Sequence, residues 1–330
     1  MRPAEIAITR ILRSRWCNLL LMGLAMSTVF MAGNYKPLAL TLADRGLIFN
    51  SPARWFGDSP ANLALALGAN IAIVLMMVYV NRRFNLLRTM SLIFVAMFMV
   101  MEAATPSTLM WFGGGQMAAI VMLWALSIFY SAYNRPRRMK RIFLAFTIVT
   151  AASTMQYGFL VYLPVLLVGC VQMRVFHFRS FLAALIGIIT PPWIIFGLGI
   201  ADFSDFRIPH PTTIFSGFDP ALTATLLATV ALTMLAGTVA GAANLLKVMS
   251  LNARTRAING LLTTIGIVTA LAAVVDISNI EFYIPLLNVT TAFQVGLFCR
   301  LYTSRRAYLM ELCLIAAFAT LLILSSLPTA

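Results

Sequence analysis

"ANLALALGANIAIVLMMVYV", residues 61–80, is a run of twenty residues without one charged side chain. A helix needs about 20 apolar residues to cross a bilayer core roughly 30 Å thick, so this stretch predicts a transmembrane helix. Further apolar runs follow along the whole chain, at 16–34, 89–104, 116–133, 142–155, 158–173, 181–199, 220–242, 258–275, 284–299 and 307–324. The sequence therefore predicts an all-α, polytopic transmembrane helical bundle of about eleven spans.

The composition agrees with this fold class. Of the 330 residues, 61% are hydrophobic and only 10% are charged, whereas a soluble domain is nearer a quarter charged. No soluble domain or low-complexity linker interrupts the apolar runs, which predicts a single integral-membrane domain over residues 1–330. None of the four cysteines lies in a Cys-x-x-Cys pair, so neither a zinc site nor a disulfide framework is predicted. The sequence identifies no cofactor.

The net charge of +14 has a simple origin in the loops. With the N-terminus in the cytoplasm, twenty of the 24 Lys and Arg residues fall on the cytoplasmic side, the densest group being "NRPRRMKR" at 134–141. Such a bias is typical of cytoplasmic loops and accounts for the basic charge without a nucleic-acid partner. We therefore predict a multi-pass protein of a bacterial inner membrane, with a cytoplasmic N-terminus and a periplasmic C-terminus, whose first partner is the lipid bilayer.

Two outer loops, 35–60 and 200–219, are the longest segments outside the predicted membrane spans. The second reads "IADFSDFRIPHPTTIFSGFD" and is interpreted in two ways. It is either an interfacial loop with Phe residues in the headgroup layer, or a site with Asp202 and Asp205 as candidate catalytic acids. In the latter case, Arg207 and His210 are candidate substrate-binding residues. The spacing matches no metal signature, so no metal site is predicted.

The first outer loop supplies two further candidate catalytic acids, Asp44 and Asp58. A catalytic carboxylate here would resemble the membrane glycosyltransferases that use lipid-linked donors, in which the first periplasmic loop carries a key acid. A carboxylate can take the proton of an acceptor hydroxyl as a general base. The chain departs from that family, because it has neither an acidic Asp-x-Asp or Glu-x-Asp pair nor a large soluble domain.

The stretch "TPSTLMWFGGGQM", residues 105–117, places three glycines at the start of a predicted helix. Glycine allows either a positive φ or a close backbone approach. Backbone N–H groups at a helix start can hold a phosphate, but the Lys and Ser/Thr of a P-loop are missing. We predict a tight, partly buried turn.

Residues 133–199 carry a family likeness. An Arg-x-Phe-x-x-Arg element in "RVFHFRSF" is followed by Gly-x-x-x-Pro in "GIITPPWIIFGLG" (Arg174, Phe176, Arg179, Gly187 and Pro191). The pattern resembles an uncharacterised family of polytopic inner-membrane proteins from Bacteroidota. The resemblance implies a many-spanning bacterial membrane protein and supplies no catalytic residue.

Three functional hypotheses follow. The first is an enzyme or carrier that handles a lipid-linked cell-envelope precursor at the periplasmic face, similar to a membrane glycosyltransferase. The second is a non-catalytic membrane subunit or assembly factor that binds envelope proteins. The third is a transporter, for which polar residues within the spans, Asn70, Asn288 and Gln294, are the only hint.

Overall fold

A computed structural model describes residues 14–31, 45–57, 59–87, 92–135, 138–209, 214, 224–247, 251–302 and 305–326. This part of the chain forms α-helices and short 3₁₀ turns and contains no strand, which confirms the all-α prediction. The α-helices, in chain order, are α1 (Arg15–Met31), α2 (Pro60–Phe84), α3 (Ile93–Ala103), α4 (Pro106–Met110), α5 (Gly114–Tyr130), α6 (Met139–Ser153), α7 (Tyr162–Gln172), α8 (Phe178–Gly197), α9 (Ala224–Leu246), α10 (Ala253–Val275), α11 (Ile280–Leu301) and α12 (Arg305–Ser326).

Five helical segments of the described chain are long and apolar enough to cross a membrane: Pro60–Phe84, Phe178–Gly197, Ala224–Leu246, Ala253–Val275 and Ile277–Leu301. The other predicted spans also coincide with helices, most of which are shorter. Four apolar helical stretches of 10–17 residues lie among them, such as Ile93–Ala103 and Gly114–Tyr130. The protein is thus a helical bundle with several candidate membrane spans, while the count of about eleven and the sidedness stay predictions.

Helix α11 lies at the centre of the bundle. Of its residues up to Cys299, all but Glu281 are buried. It packs against α3, α5, α9 and α10, and the rings of Phe94 and Phe293 stack across the α3–α11 contact with centroids 5.3 Å apart. A helix that is buried all round normally has no polar face, yet α11 carries Asn288 and Gln294. Its polar side chains therefore need partners inside the bundle.

Helices α6 and α8 form a tightly packed pair at the edge of the bundle. A Cβ atom on Gly187 would lie only 2.7 Å from the carbonyl oxygen of Phe143, so the two backbones meet where glycine removes the side chain. Pro191 lies four residues later inside the same continuous helix. The Gly-x-x-x-Pro pattern found in the sequence thus marks a helix-packing contact.

The loops meet at the two ends of the bundle. At one end, Arg300 Nη1 donates to Leu86 O at 3.2 Å, and Arg141 Nη1 donates to Ser131 O at 2.7 Å. At the other end, the backbone N–H of Arg207 donates to Leu47 O at 2.8 Å. This last bond joins the two loops that the sequence places outside, so we call this the outer end.

Candidate functional site

The described candidates of the second outer loop lie on the surface. Asp202 and Asp205 flank a 3₁₀ turn, and Asp205 Oδ2 accepts the backbone N–H of Asp202 at 3.0 Å. Both acids and Arg207 are exposed. Phe203 is 79% exposed and stacks on Phe196 with ring centroids 4.4 Å apart. Exposed aromatic rings beside solvated charges favour the interpretation as an interfacial loop.

The remaining predicted site residues, Asp44, Asp58 and His210, lie outside the described part of the chain. The structure nevertheless brings described parts of the two outer loops together. Besides the bond from Arg207 to Leu47, the backbone N–H of Phe49 donates to Thr154 O at 3.0 Å. The segment 45–57 is therefore anchored onto the α6–α7 connection.

A second candidate site, a partly open cavity, lies beneath this segment. A cavity of about 40 Å³ is bounded by residues 45–53, by the α4–α5 turn and by the start of α11. We call it the outer-end cavity. Polar side chains form part of its wall, among them Arg45, Ser107, Gln156 and Glu281, together with the indole of Trp111.

Several polar atoms of this wall have no hydrogen-bond partner among the described residues. They are Arg45 Nε, Ser107 Oγ, Trp111 Nε1 and both carboxylate oxygens of Glu281. The Ser107 hydroxyl lies beside the Glu281 carboxylate, but the two groups do not meet the geometric criteria for a hydrogen bond. Folded proteins leave few buried polar atoms unsatisfied. Five such atoms belong to residues that line one small cavity, which makes this cavity the candidate site for a polar group from outside the chain.

Two of the three glycines of 113–115 allow a close contact between helices beside the cavity. A Cβ atom on Gly115 would lie 2.4 Å from the backbone oxygen of Glu281, and one on Gly114 would lie 3.2 Å from the ring of Phe282. The start of α5 can therefore rest directly on the start of α11. None of the three has a positive φ. The prediction of a tight, partly buried turn is confirmed, and close backbone approach is its reason.

A side chain in α5 fixes the conformation of this turn. Gln116 Oε1 accepts the backbone N–H of Gly113 at 2.9 Å, and Gln116 Nε2 donates to Trp111 O at 2.8 Å and to Thr108 O. Phe112 is held from the other side, because its N–H donates to Asn62 Oδ1 at 2.7 Å. Trp111 and Ser107 are thereby kept in the cavity wall.

Asp276, just after α10, anchors the neighbouring wall. It is 3% exposed, and its Oδ2 lies 2.8 Å from the Tyr157 hydroxyl, 3.1 Å from the Tyr283 hydroxyl and 3.1 Å from Asn279 Nδ2. A carboxylate with several donors is satisfied even when buried. Gln156 Nε2 donates to Asn279 Oδ1 at 3.0 Å, which links this cluster to the cavity.

Arg45 connects the segment 45–57 to the same cluster. Its Nη2 donates to Ser278 O at 3.0 Å, and its backbone oxygen accepts the N–H of Tyr157 at 3.0 Å. The first bond holds one end of the guanidinium and the second holds the backbone, while Nε stays without a partner among the described residues. The guanidinium can therefore offer a further hydrogen bond towards the cavity.

A second carboxylate lies below the cavity. Glu102, in α3, is completely buried; its Oε2 accepts the Thr108 hydroxyl at 2.7 Å and its Oε1 accepts Asn288 Nδ2 at 3.1 Å. Thr108 itself lines the cavity. Polar groups of α11 thus find partners inside the bundle, and the floor of the cavity is held by the same bonds.

The inner half of the bundle holds a different kind of space. A groove of about 200 Å³ runs between α9 and α10 over α11 and is lined mainly by apolar atoms. Gln294 forms part of its floor, where its Nε2 donates to Thr263 Oγ1 at 2.9 Å and its Oε1 accepts Asn244 Nδ2 at 3.0 Å. With its polar floor satisfied in this way, the groove suits apolar groups rather than polar chemistry.

Comparison with known proteins found no match: no family model, no curated protein and no solved structure matches the chain. The candidate site therefore rests on geometry alone. Sequence reasoning missed Arg45, Ser107, Trp111 and Glu281 as site residues. Two features of the sequence could have identified the site: Glu281 lies near the outer boundary of an apolar run, and the glycine turn lies at 113–115.

Proposed function

We propose that the protein acts at the periplasmic face of a bacterial inner membrane on a lipid-linked cell-envelope precursor, in the manner of a membrane glycosyltransferase. The outer-end cavity receives a polar part of the precursor. The observation that carries the proposal is the convergence of Arg45 Nε, Ser107 Oγ, Trp111 Nε1 and both oxygens of Glu281 on one cavity, all without partners among the described residues.

The chemistry assigned to the cavity follows from these groups. Glu281 is the candidate general base, since a carboxylate within hydrogen-bond reach of a hydroxyl can accept its proton as that oxygen attacks. Arg45 and Trp111 donate hydrogen bonds that orient the bound group. Glu281 and Ser107 lie on helices of a closely packed bundle, which supports the proposal, because rigid elements hold such groups in position.

The membrane setting supports a lipid-linked substrate. Glu281 lies in the first turn of α11, near the start of a segment, Ile277–Leu301, that is long and apolar enough to cross a membrane. A carboxylate at that depth lies near the headgroup level when the segment spans the bilayer. A precursor with a lipid anchor presents its polar part at the same level.

The proposed orientation is tested by cysteine labelling. In a variant without the four native cysteines, Ser204→Cys at the outer end is expected to react with a membrane-impermeant maleimide added to spheroplasts. Lys140→Cys at the opposite end is the matched control, since both positions are exposed. It is expected to react only after the membrane is permeabilised. The reverse labelling pattern would show the opposite orientation in the membrane and would refute a periplasmic site.

Function is tested by replacing the candidate base. Glu281→Gln keeps the size of the side chain and removes the carboxylate, so we expect a loss of turnover, or of complementation of a deletion strain, of at least about tenfold. Asp205→Asn tests the alternative site, because it changes an exposed acid of the second outer loop. A loss with Asp205→Asn alone would move the site to that loop. Full activity of Glu281→Gln and of the Asn variants of Asp44, Asp58, Asp202 and Asp205 would refute an acid-dependent enzyme.

A non-catalytic subunit or assembly factor of an envelope complex is the second candidate. It is favoured by exposed apolar side chains near the outer end, including Trp193, Phe203 and Ile208. This candidate predicts stable co-purification with envelope proteins and tolerance of Glu281→Gln. A transporter is the third candidate, supported by the buried pair Glu102–Asn288 within the bundle.

A further inference from the structure

The walls of the outer-end cavity indicate which part of the substrate enters it. We infer that this part is uncharged and carries hydroxyl groups, as the edge of a sugar does, and that the phosphate groups of a lipid-linked precursor stay outside. The inference rests on the proposed function for the identity of the precursor. It rests on the cavity's hydrogen-bonding groups, charge and size for the chemistry of the bound group.

The wall of the cavity offers both hydrogen-bond donors and hydrogen-bond acceptors. Arg45 Nε and Trp111 Nε1 only donate, the Ser107 hydroxyl both donates and accepts, and the Glu281 carboxylate accepts. A phosphate would satisfy the donors but would place its oxygens against the oxygens of Glu281. A hydroxyl donates and accepts with the same oxygen, so a pair of hydroxyls can satisfy both kinds of group at once.

The charges around the cavity also favour an uncharged ligand over a phosphate. The described charged residues at this site are Arg45, Glu281 and the neighbouring Asp276, whose carboxylate is bonded to Tyr157 beside Arg45. One cation against two carboxyl groups gives no net positive field. A buried phosphate or diphosphate would lose its hydration without an attraction large enough to replace it. An uncharged hydroxyl loses far less on entering.

Size limits the bound group further. A water molecule needs about 10–15 Å³ of such space, so a cavity of about 40 Å³ holds roughly three water-sized groups. That is enough for two or three hydroxyl-bearing atoms on one edge of a sugar, whereas a diphosphate would have to extend out of the opening. The ring of Phe282 and the indole of Trp111 add apolar wall for the C–H groups between the hydroxyls.

The inference is tested by ligand binding to the full chain in lipid nanodiscs. The probes are a panel of methyl glycosides and inorganic pyrophosphate, followed by saturation-transfer NMR and titration. We expect at least one glycoside to bind in the millimolar range, and pyrophosphate at equal concentration not to displace it. Trp111→Phe keeps an aromatic ring and removes the N–H, and Ser107→Ala removes the hydroxyl. Each is expected to weaken glycoside binding several-fold.

The control variant is Ser204→Ala, at an exposed position of the second outer loop. It is expected to leave glycoside binding unchanged. Binding of pyrophosphate in preference to every glycoside, no binding of any probe, or glycoside binding that neither Trp111→Phe nor Ser107→Ala weakens would overturn the inference. Glycoside binding combined with full turnover of Glu281→Gln would overturn the proposed function and leave the inference standing. Preference for pyrophosphate combined with Glu281-dependent turnover would overturn the inference and leave the proposed function standing.

Discussion

Replacing Asp276 by alanine is expected to lower the free energy of unfolding by about 3 kcal/mol or more. The carboxylate accepts hydrogen bonds from the hydroxyls of Tyr157 and Tyr283 and from Asn279 Nδ2, and all four side chains are buried. Without it, these donors remain buried without an acceptor, at a cost of about 1–3 kcal/mol for each. The change is measured by equilibrium unfolding of the purified protein in mixed micelles.

Asp205→Ala is the matched control, because it removes the same side chain at an exposed position. The only described bond to its carboxylate comes from the backbone of Asp202. We expect a loss of less than about 0.5 kcal/mol there. Equal losses for Asp276→Ala and Asp205→Ala would show that the buried cluster contributes nothing to stability, contrary to its assigned role.

The second large effect is expected at Gly115. An added Cβ atom would lie 2.4 Å from the backbone oxygen of Glu281 and 2.9 Å from the ring of Pro285. Backbone atoms cannot move aside as the end of a flexible side chain can, so Gly115→Ala must push α5 away from α11. We expect a loss of stability of about 2–3 kcal/mol, as for overpacking of a core. Because the shift displaces Glu281, turnover is expected to fall as well.

Gly68→Ala supplies the comparison for this prediction. Gly68 lies inside α2, and nothing stands within 4 Å of the position that its Cβ atom would take. Alanine favours a helix over glycine by up to about 1 kcal/mol. The same substitution is therefore expected to be neutral or slightly stabilising at position 68 and destabilising at position 115, with both measured by unfolding in the same micelles. A neutral Gly115→Ala would contradict the close contact between α5 and α11.

Much of the fold could be predicted because hydropathy acts locally. An apolar run such as 61–80 has to form a helix in a bilayer, since a lipid-exposed backbone must satisfy its own hydrogen bonds. The glycine turn at 113–115 and the polar residues Asn288 and Gln294 were also visible as exceptions to the apolar pattern. What the pattern did not contain was which helix would lie at the centre: α11 is no more apolar than its neighbours, yet it is buried on every side.

For the candidate site, the tertiary structure decided more than it did for the fold. The sequence by itself determined that the chain is an all-α bundle with long apolar helices and that its acids lie near helix ends and in loops. Only the tertiary structure decided that Asp202 and Asp205 are exposed while Glu281 lines a cavity with Arg45 and Trp111. Those three residues are separated by long stretches of chain, and they meet because segments pack against one another. Apolar periodicity sets which residues form a helix, whereas side-chain volume and the absence of a Cβ at Gly115 set which helices can touch.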